Sequence, residues 1–111
     1  PKVKLYGPPG SAMESAAGQN KITFVPEAFA DRQYESDGSL RSRSLEGAVL
    51  SAEESMNQIK ELVFNNRVKS DDWIPMKAQT ICLHSDTENA AGLAKHIHQT
   101  LKKSGVIIRA V

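Results

Sequence analysis

The chain has 111 residues, 40% hydrophobic and 24% charged, with a formal net charge of +1. That is the length of one domain. Lys and Arg are spread along it without the clusters that a nucleic acid or an anionic membrane surface would call for. No apolar run approaches the about 20 residues that cross a bilayer. A polar Pro/Gly loop stands where a signal peptide would be apolar. Cys82 is the single cysteine, so no internal disulfide forms, which fits a reducing, cytoplasmic setting. The first residue is Pro1, so either an initiator Met was removed or this is a piece of a longer chain.

Val3 to Tyr6 reads as a short strand, stopped by Pro8, Pro9 and Gly10. Ser11 to about Asn20 reads as a short helix, with Ser11 and Glu14 in capping-box spacing and Ala12, Met13, Ala16 and Ala17 on one side. Ile22 to Phe29 reads as a second strand, interrupted by Pro26, which is bent there or directs its missing N–H to no neighbour. Asp31 to Leu45 is polar around the Asp37-Gly38 turn signal, either a long loop or a small hairpin. Ser51 to about Asn65 is a clearer helix, with Ser51 and Glu54 in a second capping box and Met56, Ile59 and Val63 at helical spacing.

Residues 66 to 78 read as irregular. Thr80 to Leu83 is a β-branched run expected to be a buried strand. Asp86 or Thr87 caps a last helix with an apolar face of Ala90, Leu93, Ala94, Ile97 and Leu101, ended by Lys102, Lys103 and Gly105. Val106 to Ile108 reads as a final strand. Strands alternating with helices predict an α/β fold of parallel βα units.

In such folds the site is built from loops at the C-terminal ends of the strands. Those loops hold Gly10 and Ser11; Glu27, Asp31, Arg32 and Tyr34; and His84 and Asp86. The set offers general bases, an imidazole and a guanidinium. Each member also has a plain reading: Asp86 as a helix cap, Asp31 with Arg32 as a solvated pair, His84 as a satisfied strand-end histidine. His96 and His98 are two apart on a helix and do not face each other. Cys82 reads as inert core, and no zinc-ligand spacing occurs.

The opening Gly7-Pro8-Pro9-Gly10-Ser11 begins like a phosphate-binding loop. Counted from Gly7, however, Ala12, Met13 and Glu14 stand where Gly, Lys and Ser/Thr are required, so the loop lacks its cation and carries a repelling carboxylate. What survives is a helix N-terminus able to meet an anion.

Pro9 to Glu14, Glu27, Phe29 to Arg32, Tyr34, Asp37-Gly38 with Leu40, Arg43 to Leu45 with Gly47-Ala48, Thr80 to Cys82, His84, Asp86 and Thr87 form a long pattern. It resembles the C-terminal part of the LamB/YcsF family, the 5-oxoprolinase A subunits. Departures are Ser85 in place of a usual Gly, Arg41-Ser42 in place of Val-Pro, and Glu46 in place of Pro.

The resemblance implies a distorted TIM-like (β/α) barrel, of which this chain would supply only part. It implies ATP-dependent hydrolysis of the lactam of 5-oxoproline (pyroglutamate) to glutamate, performed with two further subunits. Opening an unstrained lactam calls for activation, an electrophile stabiliser and an acid/base for the ring nitrogen. In that frame Asp31, His84 and Asp86 handle protons or position ligand. Arg32 holds a carboxylate or phosphate, and Glu27, Gly10, Ser11, Tyr34 and Arg43 line the substrate or anion site. ATP serves the whole enzyme, and no metal ligand is assigned.

The family's N-terminal half is absent from the sequence, so residues 1–111 are expected to be a single incomplete α/β domain with open sheet edges. A partner chain or a second copy is expected to cover them, and the isolated chain is expected to be nearly inactive. The alternative is a non-catalytic α/β fragment serving as an anion-binding or assembly module.

Overall fold

The computed structural model describes residues 3–84 and 89–110. Three parallel strands form its sheet: β1 (Lys4–Gly7), β2 (Thr23–Phe29) and β5 (Thr80–Cys82), with β2 in the centre. Helix α1 (Ala12–Gln19) joins β1 to β2. The longer crossover from β2 to β5 runs through helix α2 (Ala52–Asn65) and an antiparallel hairpin, β3 (Arg67–Lys69) and β4 (Trp73–Pro75). Helix α3 (Ala90–Lys103) follows.

Pro26 sits in the central strand because the two edges hand over at that point. Its register partner is Gly7, the last residue of β1, and pairing to β5 begins one residue later, with Glu27 opposite Thr80. A missing N–H is tolerated where one neighbour ends and the other begins. Gly7 is closely packed: a Cβ there would lie 3.1 Å from Met13 Cε and 3.2 Å from Phe24 Cε1, so those side chains would have to give by a few tenths of an ångström. Gly10, with φ +74, makes the left-handed turn into α1.

Helix α2 starts at a full capping box, Ser51 accepting from Glu54 N–H while the Glu54 carboxylate accepts from Ser51 N–H. It ends at Asn66, whose left-handed backbone turns the chain directly into β3. Ile59 and Leu62 face the sheet. Leu62 packs with Ala28, Tyr34, Val68 and Met76, and Ile59 with Ala30 and Leu101. The Asp37-Gly38 segment is a tight turn closed by Glu35 N–H to Ser39 O, with a single bridge between Tyr34 and Leu40.

Several expectations change. Residues 66 to 78, read as irregular, contain the β3–β4 hairpin. Val106 to Ile108 form no strand: the segment has no strand partner among the described residues, and Ile107 is 85% exposed. Strand β5 is half-buried rather than buried, Cys82 included, because among the described residues one of its edges is open. Of the apolar side proposed for α1, only Ala17 is buried. The residue before α3 is Asn89, in a left-handed conformation without a side-chain cap bond; the expected caps Asp86 and Thr87 lie outside the described residues, as does Ser85.

Removing the Ser51 hydroxyl frees an amide at the start of the helix that carries the core. Ser51→Ala is expected to lower stability by about 1 kcal/mol, read as a lower urea midpoint at unchanged slope.

Candidate active site

Side chains two apart on a strand share a face. Along β2 and one step past it, that series is Glu27, Phe29 and Asp31. Along β5 it is Thr80, Cys82 and His84. The parallel register sets Glu27 beside Thr80 and Phe29 beside Cys82, and carrying it on by two residues brings Asp31 to His84. Ala30 N–H continues the ladder by donating to Cys82 O at 2.9 Å.

There the side chains meet. His84 Nδ1 lies 2.8 Å from Asp31 Oδ1, and the His84 backbone N–H donates to Asp31 Oδ2 at 3.1 Å. The imidazole stacks on Phe29, with centroids 5.0 Å apart and planes 14° from parallel. Asp31 is 1% exposed, whereas the His84 ring is partly open to solvent. With Nδ1–H given to Asp31, Nε2 carries the free lone pair.

Tyr34 closes the other side of β2. Phe29 N–H points away from β5 to where β1 has already ended, and the Tyr34 hydroxyl accepts it at 2.9 Å. Burial pushes the Tyr34 phenol up to about 12. The Phe29 hydrogen bond and Arg32 pull it down, while Glu27 and Asp31 push it further up. The Cys82 thiol is likewise raised, first by burial and then by Glu27 and Asp31. It stays a thiol, the opposite of an activated nucleophile. Glu27 is half-buried on the same face, close enough to act on both groups.

Arg32 is 7% exposed. Its Nη2 donates to Arg41 O at 2.6 Å, and its Nε is buried without a hydrogen-bond partner. Among the described residues no carboxylate lies within ion-pair distance of it.

The structure therefore brings Asp31 and His84 into contact, with Glu27, Asp31 and Arg32 close enough to the Tyr34 phenol to shift it. Gly10 and Ser11 are engaged elsewhere: Gly10 N–H donates to Glu14 Oε1 at 2.7 Å, and Ser11 Oγ donates to Pro8 O at 2.6 Å. Arg43 is exposed, and Asp86 lies outside the described residues. Two further contributors are not among the residues that the sequence nominates for the site. Phe29 forms the floor under His84, and Gln58, a polar side chain on the buried stripe of α2, bonds to the loop that carries Asp31.

The family profile described as LamB/YcsF matches residues 1–111. The chain belongs to the LamB/YcsF family. Proteins named as the A subunit of 5-oxoprolinase are similar to it over 99% of its length: 39% identical over 113 residues in Bacillus cytotoxicus and 42% over 114 in Bacillus cereus. The crystal structure of a lactam utilization protein from Thermus thermophilus matches the whole chain with a TM-score of 0.90 at 30% identity. This LamB/YcsF chain spans 45% of the length of each of these proteins, and its α/β fold of parallel strands and helices is that of the solved neighbour.

Tyr34 supplies a pH signature. A folded pKa raised above the ordinary value near 10 means that the phenol's contribution is complete below that value. It is lost as pH rises towards about 12. Stability should fall over that alkaline interval in denaturant titrations. Tyr34→Phe should abolish this component and add a pH-independent loss of about 1–3 kcal/mol for the unpaired Phe29 N–H.

Proposed function

We propose that this chain is part of the catalytic subunit of an ATP-dependent 5-oxoprolinase, hydrolysing the lactam of 5-oxoproline to glutamate. The observation that carries the reading is the buried Asp31 holding His84 over Phe29. The names of the relatives, a 5-oxoprolinase A subunit and a lactam utilization protein, fit the same reading.

The chemistry follows from the arrangement. Asp31 holds the imidazole by Nδ1, so Nε2 takes a proton from water as its oxygen adds to the lactam carbonyl. The same imidazole returns that proton to the ring nitrogen as the C–N bond breaks. The ring nitrogen keeps that proton, while the new carboxyl keeps the added oxygen and releases the water's second proton to solvent, giving glutamate. Arg32, a buried cation with an unsatisfied Nε, receives the substrate carboxylate, which offsets the cost of burying a lone charge. Tyr34 stays protonated and Glu27 lines the pocket. Asp86 and Arg43 are assigned to the same ligand.

ATP would supply activation of the lactam when bound. The Gly7–Glu14 loop does not fit a triphosphate: the amide of Gly10 carries the Glu14 carboxylate, and Met13 stands in place of a lysine. Neither Gly10 nor Ser11 keeps a place in the anion site, and no step is assigned to nucleotide on these residues.

The three strands supply part of a (β/α) TIM-like barrel, residues 1–111 forming one incomplete domain. Both edges of the sheet are unpaired among the described residues. An apolar groove of about 680 Å³ runs along β5 between α2 and α3, lined by Ile59, Val63, Leu83, Ile97 and Val106. The remaining barrel strands, from further polypeptide of the kind the longer relatives possess, would cover it, and the other 5-oxoprolinase subunits complete the assembly. The same groove favours the second reading, a non-catalytic assembly module.

Two measurements separate these readings. In assays of 5-oxoproline turnover with the remaining barrel polypeptide and the complementary subunits supplied, His84→Gln and Asp31→Asn should each lower kcat by about 100-fold or more, and Arg32→Met should mainly raise KM. Unchanged turnover in His84→Gln would leave only the assembly role. Light scattering of the isolated chain should show association, and a monodisperse monomer would refute the open-edged fragment.

A further inference from the structure

We infer that Gln58 is a positioning residue for the Asp31–His84 pair, an inference that rests on the reading of that pair as catalytic. Gln58 is fully buried, at 0% exposure, on the face of α2 that meets the sheet. Its amide is satisfied on both sides. Nε2 donates to Phe29 O at 2.9 Å and to Arg32 O at 2.7 Å, and Oε1 accepts from Lys69 N–H at 2.7 Å. Two carbonyls on one nitrogen and one N–H on the oxygen fix which way the amide points.

The two carbonyls bracket residues 29 to 32. That segment contains both groups that orient His84: Phe29, on which the ring stacks, and Asp31, which bonds its Nδ1 and backbone N–H. The chain leaves the sheet here, so strand pairing no longer holds it; the last ladder bond is Ala30 N–H to Cys82 O. Gln58 takes over from the ladder. On the far side the Asp31 carbonyl accepts from Leu50 N–H at 2.9 Å, and Arg32 bridges Val49. The carboxylate is thus set by a backbone held from two elements, α2 and the segment before it.

Gln58 also ties this corner to the hairpin. The carbonyl of Lys69, whose N–H it accepts, takes Tyr34 N–H at 2.9 Å, and the next carbonyl, Ser70 O, accepts from Gln33 Nε2 at 2.9 Å. One buried amide therefore joins the aromatic floor, the backbone of the carboxylate and the hairpin that anchors Tyr34. A hydrophobic side chain of the same length would fill the space and leave two carbonyls and an N–H unpaired. A local loss of geometry at the dyad is the consequence to look for.

The test uses the 15N-labelled full chain. Long-range 1H–15N spectra report the protonation of each imidazole nitrogen, and His84→Gln identifies the His84 signals against those of His96 and His98. In the unaltered chain His84 should show the Nδ1–H tautomer alone. In Gln58→Met it should pass to the mixed tautomers of a solvated histidine, and exchange of the His84 amide should quicken at least tenfold. The amides of Ile59 and Leu62 should keep their protection. Gln58→Asn, whose shorter amide cannot span both carbonyls, should give an intermediate result. An unaltered chain without the Nδ1–H pattern would refute the dyad itself. A pattern that is present but insensitive to both substitutions would overturn the role of Gln58 and leave the dyad standing. Loss of the fold in both variants would also overturn it, reducing Gln58 to a stability role.

Discussion

A carboxylate that is 1% exposed must be given donors, and Asp31 takes two of them from a residue 53 positions away. These donors, an imidazole nitrogen and a backbone amide, both belong to His84 just past the end of β5. That demand links the position of β5 on β2 to the position of the active group. A slip of one residue would turn Thr80, Cys82 and His84 to the opposite face and take both donors away from a buried charge. Register and site are the same constraint seen from two directions, so the crossover through α2 and the hairpin has to end where it does.

The same economy of backbone partners shapes the central strand. β2 is flanked by β1 over its first half and by β5 over its second. Each half leaves groups on one side without a ladder, and side chains or loop amides fill in: the Tyr34 hydroxyl takes Phe29 N–H, Gln79 N–H serves Pro26 O, and Gln58 takes Phe29 O. Staggered short strands would ordinarily be weak. Here the stagger frees the C-terminal end of β2 to carry polar residues, and a buried side-chain amide and a phenol replace the missing strand.

Much of this was legible because it obeys simple periods. Glu27-x-Phe29-x-Asp31 and Thr80-x-Cys82-x-His84 are two alternating runs, and parallel pairing superposes them. The helix starts at Ser11 and Ser51 and the turn at Asp37-Gly38 follow from local hydrogen bonding that tertiary structure does not override. The hairpin of Arg67–Lys69 and Trp73–Pro75 escaped because three residues are too few for alternation to show, and the connecting Ser70-Asp71-Asp72 contains no glycine. Val106 to Ile108 misled for the opposite reason: an apolar run is a strand only where a partner edge is within reach. Gln58 left a signal that is easily passed over. It shares its stripe with Ser55, Ile59 and Leu62 at helical spacing, and a polar residue on a buried stripe must bond to something specific.

The opening loop shows why charge has to be followed to its partner before a site is assigned. Gly10 and Ser11 do form the entrance to a helix, with amides that would suit an anion. The anion is already there, as the carboxylate of Glu14, four residues on. Arg32 is the reverse case: its sequence neighbourhood suggests a solvated loop pair with Asp31, yet Asp31 turns to His84 and Arg32 is buried, with a backbone carbonyl on Nη2 and nothing on Nε. A cation in that position is costly in isolation. The electrostatics of the chain therefore move the search for a bound anion away from the loop that looks like a phosphate cradle and towards the end of β2, where the imidazole is held.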